Sequence, residues 1–450
     1  MMRIAQNALF VASLLAACGP SGRNEGGGGD DDTTTVDAPE TAYATITGKV
    51  WAPNQGPGQA LIGQEIPVAG ALVYVAQTRP NQIPDGVYCQ QCVATPSGGV
   101  LTGADGSFTL DVPAGRYWVV IEKGQFRLEA EYDLQPGVMA MTSAQTTLPS
   151  VWDPDTGRFM PRIALVRGSS DRIEDILGKL GIGTMAGNSF SNPQGEKGPE
   201  ISLFDYSGTG TTTATGLLQN LAEMRKYHII FFPCSTSMSS LNTLLSDQNV
   251  LANIRRYVSE GGKLYVTDWS GELVDRAFPQ QVELGDDGAD SVGTYDPVTF
   301  TGTLTTAGDA DGGLYDAADG KVIDDPLSQW LGLQTGPQED GTVGMFNPSA
   351  FDVTDNWNWI RKLSAVQIGT DDQGMPVYDT PKAWLTGSKP GTSGATNRPL
   401  AVTYEPTGCG KVLYTTFQTA GAAHTGLYPQ ERVLLYLIME ITTCSSNPIL

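Results

Sequence analysis

Basic residues are scarce in this 450-residue chain: 27 Lys+Arg stand against 49 Asp+Glu, a net charge of -22. A surface of that sign is repelled by nucleic acid and by anionic lipid faces, which excludes nucleic acid as a partner. Histidine is scarcer still, with only His228 and His424, so any imidazole chemistry is confined to those two positions. Beyond the N-terminus no apolar run is long enough to span a bilayer. Walker loops, zincin helices and strand–Gly-x-Ser-x-Gly elbows are all missing. The glycine-rich stretch Gly181-Ile182-Gly183 follows a helical pattern rather than a strand, so it reads as a helix stop and not as a nucleotide loop. What is present is 40% hydrophobic residues, enough for sizeable cores, in a length that predicts two or three domains. Nothing in the pattern specifies an oligomeric state.

The N-terminus reads as a targeting segment. Met1-Met2-Arg3 is a short positive start, an apolar stretch runs from Ala8 to Ala17, and it ends in Leu15-Ala16-Ala17-Cys18-Gly19. The stretch is too short to span and has the form of a signal h-region. The Leu-Ala-Ala-Cys end resembles bacterial lipoprotein signals. That resemblance implies cleavage after residue 17 and a lipid, palmitate among its acyl chains, on Cys18. The expected location is then the cell envelope, with Gly19 favouring the outer membrane, on its periplasmic or surface face. Residues 18–42 carry a Gly run, three consecutive Asp and three Thr. They are expected to form an unstructured tether with an r.m.s. reach of roughly 25–30 Å.

Residues 43–128 read as a β-sandwich built from short strands punctuated by Gly, Pro and Asp. Gly48-Lys49-Val50, Pro67-Val68-Ala69-Gly70-Ala71-Leu72-Val73, Asp105-Gly106-Ser107-Phe108 and Pro113-Ala114-Gly115-Arg116-Tyr117 follow in that order. They resemble the carboxypeptidase regulatory-like domain, a transthyretin-like sandwich, which implies a non-catalytic spacer or binding module. Residues 129–160 serve as a connector.

From 161 to 278 the pattern changes. Continuous apolar runs at 163–166, 201–204, 228–232 and 263–267 alternate with amphipathic stretches. Asp171 and Glu174 form a capping-box pair before Ile173, Ile176, Leu177 and Leu180. Val250, Ile254, Tyr257 and Val258 mark another helix face, stopped by Gly261-Gly262. This predicts a doubly wound parallel sheet of flavodoxin-like type. Residues 279–400, rich in Gly, Asp and Thr, are expected to be a long insertion of loops and hairpins, after which 401–450 supply the last strand and a final apolar helix.

The 228–232 strand, the helix ending at Gly261-Gly262, the 263–267 strand and the 411–441 strand–helix pair resemble the class I glutamine amidotransferase-like fold. The whole resembles uncharacterised lipoproteins that join the same two modules. Enzymes of that family use a Cys on a tight turn after a strand, with a His and a Glu. Here the turn reads Asp268-Trp269-Ser270-Gly271-Glu272, and Gln418 stands where the His is expected. The resemblance therefore implies a non-enzymatic relative. A hydrolase or amidotransferase relative acting on sugars or amides is the alternative, with Cys234 and His424 as its candidate nucleophile and base.

Asp268, Ser270 and Glu272 sit at the carboxyl end of a central strand, where open α/β sheets bind ligands. Their oxygens also suit a hard cation, against the plainer reading as helix caps. The runs Asp286-Asp287-Gly288-Ala289-Asp290 and Asp309-Ala310-Asp311-Gly312 suit solvated turns better than Ca²⁺ loops, since neither supplies the bidentate Glu. No other cofactor is expected. Exposed Trp357, Trp359 and Trp384 near a groove would favour a glycan ligand, against core packing. With Cys18 lipidated, five cysteines remain: Cys89 and Cys92 as a local disulfide, Cys409 with Cys444, and Cys234 free and buried.

Overall fold

The computed structural model describes residues 42–90, 96, 98–168, 170–191, 200–206, 210, 212–234, 238–285, 313–338, 340–371 and 373–444. Cys18, the tether, Cys92 and the two Asp-rich runs of the insertion lie outside the described residues.

The centre is a nine-stranded mixed sheet. In chain order its strands are β1 (Ile163–Arg167), β2 (Ile201–Asp205), β3 (Ile229–Phe232), β4 (Lys263–Thr267), β5 (Tyr315–Val322), β6 (Phe351–Asn356), β7 (Lys382–Gly387), β8 (Arg398–Tyr404) and β9 (Lys411–Thr415). Their spatial order is 2-1-3-4-9-8-7-5-6. The first five are parallel, and β8, β7, β5 and β6 continue the sheet antiparallel. The parallel strands are predominantly apolar through their middles because both faces are covered, with polar residues such as Lys263, Thr267 and Arg167 at their ends. Ile163, Leu165, Ile229, Phe231, Tyr265 and Leu413 enter one core, while Ala164, Val166, Ile230, Phe232, Leu264 and Val266 enter the other.

Helix α1 (Ile173–Lys179) follows β1, α2 (Gln248–Ser259) precedes β4, α3 (Asp325–Gly332) lies in the insertion, and α4 (Pro429–Ile441) closes the chain. Val250, Ile254, Tyr257 and Val258 of α2 are all fully buried, as their spacing predicts. Arg172, not Asp171, occupies the cap position of α1, so the expected capping box does not form. The insertion is not an assembly of loops and hairpins alone. It supplies β5, β6 and β7 to the central sheet, which is therefore mixed rather than wholly parallel.

Residues 42–160 form two smaller sheets. One joins Ser107–Pro113, Tyr43–Lys49 and Gly137–Ala140; the other joins Val100–Leu101, Leu72–Ala76, Gly115–Lys123, Phe126–Leu134 and Arg158–Phe159. Their inward residues share one continuous core with α1, α4 and one face of the central sheet. The Trp330 indole donates to the Pro67 carbonyl at 2.7 Å, and Lys123 pairs with Glu440 of α4.

The segment 84–89 lies against the amino ends of the parallel strands. Arg162 pairs with Asp85, the Val87 N–H donates to the Arg225 carbonyl, and His228 lies between two backbone groups. The His228 Nδ1 accepts from the Arg162 N–H at 2.8 Å and its Nε2 faces the Pro84 carbonyl at 2.8 Å. Burial lowers its pKa to about 4, so it is a neutral structural imidazole.

A disulfide joins Cys89 of this segment to Cys409, just before β9. Both expected pairings, Cys89 with Cys92 and Cys409 with Cys444, are thereby overturned. Cys444 is disulfide-bonded as well, with a partner outside the described residues. The local spacing of Cys89 and Cys92 misled because the 84–89 segment carrying Cys89 packs on the sheet, which brings Cys89 to Cys409. Cys234 is free and buried.

Candidate functional site

The carboxyl ends of β1, β3, β4 and β9 converge on a buried polar network. The Cys234 N–H donates to the Thr267 hydroxyl at 2.9 Å, and that hydroxyl donates to Asp171 Oδ2 at 2.5 Å. Asp171 Oδ1 accepts from the Thr419 hydroxyl at 2.7 Å and from its N–H at 3.3 Å. One carboxyl thus ties together the ends of four strands, and it is almost wholly buried. Burial pushes the Asp171 pKa up, against the Thr hydrogen bonds that lower it. Glu174, one turn on, is raised to about 7, chiefly by burial and also by the nearby Asp171 and Asp175.

Asp268 follows β4 in a left-handed conformation (φ 52°), entering a short 3₁₀ turn, Asp268–Gly271, and then the helix Glu272–Ala277. A strand-to-helix turn of this kind presents a nucleophile to solvent in hydrolases. Here the residues after β6 lie over Asp268. The Trp357 N–H donates to Asp268 Oδ1 at 2.8 Å, and Asn358 Nδ2 donates to the Asp268 carbonyl at 2.9 Å. Asn356 in turn accepts from the Thr416 hydroxyl at 2.9 Å. Asp268 is completely buried, and burial raises its pKa well above the carboxylate range.

The three oxygens proposed as ion ligands do not converge. The Ser270 hydroxyl donates to the Pro233 carbonyl at 2.7 Å, and Glu272 pairs with Arg276 at 3.0 Å. Among the described residues no cluster of three or more His, Cys, Asp or Glu is spaced to hold a metal ion.

Cys234 adjoins the Asp268 carboxyl. Burial first, and the Asp268 charge second, push its thiol far above the ordinary cysteine range. An activated thiolate needs the opposite setting. His424 is held elsewhere: its Nε2 lies 2.8 Å from Glu431 Oε1, its Nδ1 faces the Thr425 carbonyl, and its ring stacks on Tyr428 at 4.0 Å. Glu431 also accepts from the Tyr428 N–H at 2.9 Å, at the start of α4. Glu431 carries no catalytic motif in the sequence; its place three residues after Tyr428, just past Pro429, is the capping signal that marks it.

Trp359 and Trp384 pack into the interior with 6% exposure each. Trp357 is half-buried and meets the half-buried Trp269 at 4.4 Å between ring centroids. This pair is the aromatic surface beside the closed carboxyl edge.

No known protein family matches the chain, and no curated protein does. Among solved structures, the N-terminal domain of mmIFT52 aligns over 63% of this chain and 97% of its own, with 10% identity and a TM-score of 0.30. The cytoplasmic protein STM3548 from Salmonella typhimurium aligns over 53% of this chain and 81% of its own, with 12% identity and a TM-score of 0.27. A β-galactosidase from Rahnella sp. R3 aligns over 64% of this chain and 32% of its own, with 10% identity and a TM-score of 0.25.

Proposed function

We propose that this chain is a lipid-anchored protein of the bacterial cell envelope that binds a glycan, an envelope component or a protein partner without catalysis. The observation that carries the non-catalytic reading is the closed carboxyl edge. At the strand-to-helix turn, where chemistry would occur, Asp268 is completely buried under Trp357 and Asn358. The half-buried Trp269–Trp357 pair, with part of its surface open, favours a glycan, since sugar faces stack on indole.

In this reading residues 43–128 are a carboxypeptidase regulatory-like, transthyretin-like sandwich, and the parallel strands are an amidotransferase-like domain. The spatial order 2-1-3-4-9 of those strands supports the second assignment, because it is the flavodoxin-like order with the last strand supplied late in the chain. Cys18 carries the lipid, the 18–42 tether holds the body off the membrane, and the location is the outer membrane. Among the described residues no helix is long and apolar enough to cross a membrane.

The alternative, a hydrolase or amidotransferase relative, rests on the His424–Glu431 pair, which has the form of an oriented general base. Thiol labelling across pH separates the two. On the folded, unreduced protein, Cys234 is expected to resist a small alkylating probe until the protein unfolds. Rapid labelling with an apparent pKa well below about 8.5 would overturn the binding reading in favour of an enzyme. For the anchor, Cys18→Ala is expected to release the protein from membranes into the soluble fraction, and unchanged retention would refute lipidation at Cys18.

A further inference from the structure

Away from the carboxyl edge, a cavity of about 270 Å³ opens between the 54–64 loop, the end of α1, the turn at 185–188 and the 425–427 loop. Two cationic side chains line it, Lys179 and Arg432, in a chain with a net charge of -22. Neither makes an ion pair among the described residues. The Lys179 ammonium donates to the Gly426 carbonyl at 2.8 Å and keeps two further N–H groups. The acids nearest to it are committed elsewhere: Glu431 to His424, and Asp175 to Arg172 at 2.6 Å and to the Phe190 N–H at 2.6 Å.

Arg432 is 1% exposed. Its guanidinium donates to Gln334 Oε1 at 2.5 Å and to the carbonyls of Gln64 and Thr335 at 3.2 and 3.0 Å, while its Nε has no partner. The Gln64 Oε1, also on this wall, is buried without a partner. Leaving the Arg432 Nε and the Gln64 Oε1 buried without partners is costly unless a ligand completes them, and the half-buried Lys179 keeps N–H groups to spare beside them.

The rest of the wall names the ligand's chemistry. Asn54 and Gln55 each give one amide N–H to the Lys179 carbonyl, at 3.0 and 2.8 Å, and Asn188 gives one to the Thr425 hydroxyl at 2.9 Å, so each keeps its carbonyl oxygen and a second N–H for a ligand. Hydroxyl groups match such a wall because they too both donate and accept. The volume lies below the roughly 300–1,000 Å³ of pockets for drug-sized molecules, which selects something smaller. We propose that this cavity binds a small acidic sugar, with Lys179 taking its carboxylate and the amides taking its hydroxyls. The assignment stands whether or not the carboxyl edge also binds a ligand.

Calorimetric titration of the full chain with glucuronate, and with glucose as its neutral counterpart, tests this. Glucuronate is expected to bind saturably at one site per chain, and glucose to bind at least about tenfold more weakly, as loss of a charge-assisted hydrogen bond predicts. Lys179→Gln is expected to weaken glucuronate binding by about tenfold or more, with an unchanged melting temperature, and Lys179→Arg to retain it. Three results would each overturn the proposal: no binding up to about 10 mM, equal binding of both sugars, or glucuronate binding that Lys179→Gln leaves intact.

Discussion

Replacing Cys409 with Ser is expected to lower the unfolding free energy by about 4 kcal/mol, measured as a fall in the denaturant midpoint under non-reducing conditions. The bond to Cys89 spans 320 residues of sequence, so it removes an unusually large loop from the unfolded ensemble. Loop-closure entropy alone gives about 6 kcal/mol for a loop that long. A second disulfide, at Cys444, shares part of that constraint, which brings the expectation down. Cys89→Ser should match it, and the double variant should lose no more than either single one, because both remove the same bond. Peptide mapping of the unreduced protein should return Cys89 linked to Cys409. Finding Cys89 linked to Cys92 instead would refute the arrangement.

Asp171→Ala is the second change with a large expected effect, about 3–5 kcal/mol of destabilisation. It strands the Thr267 hydroxyl, the Thr419 hydroxyl and the Thr419 N–H in a buried place. Asp171→Asn keeps one carbonyl acceptor, and both threonine hydroxyls can rotate to meet its amide, so its cost should be under half as large. The two variants also differ in a local readout. Thr267 links Asp171 to the Cys234 backbone, so loosening it in Asp171→Ala should let a thiol probe reach Cys234 at denaturant concentrations where Asp171→Asn still protects it. Equal stability of the Ala and Asn variants would mean that the network does not hold the strand ends together.

Much of the central sheet is legible in the sequence for a simple reason. Strands covered on both faces are near-continuous apolar runs, and Ile229–Phe232 and Lys263–Thr267 are buried at every position, the latter with polar residues only at its two ends. The helix Gln248–Ser259 is equally plain, from its apolar stripe and the Gly261-Gly262 stop. Strands β5 and β6 are not. Tyr315–Val322 contains Asp316, Asp319 and Gly320, and its pairing with β6 shifts register twice, which breaks the alternation that marks a strand. Missing those strands hid the covering of Asp268, since Trp357 and Asn358 follow directly from β6. Position at a strand's carboxyl end identified Asp268, Ser270 and Glu272, but not that each side chain would turn to a different partner. The pairing of Cys89 with Cys409 was invisible for a related reason: it depends on how the 84–89 segment packs on the sheet, not on any spacing along the chain.

The continuous core between the small sheets and α4 sets the order in which this molecule can be completed. Ala52, Ile66, Val68 and Ala69 lie against Leu435, Tyr436 and Met439, almost 400 residues further on. At synthesis rates of about 5–20 residues per second, those apolar groups wait roughly 20–80 s for their partners. During that interval the early part of the chain has strands but an unsealed side. That side is expected to stay open to non-native contacts until Pro429–Ile441 is made. The same dependence predicts that a shortened chain ending before Pro429 leaves the N-terminal sheets sticky rather than free-standing.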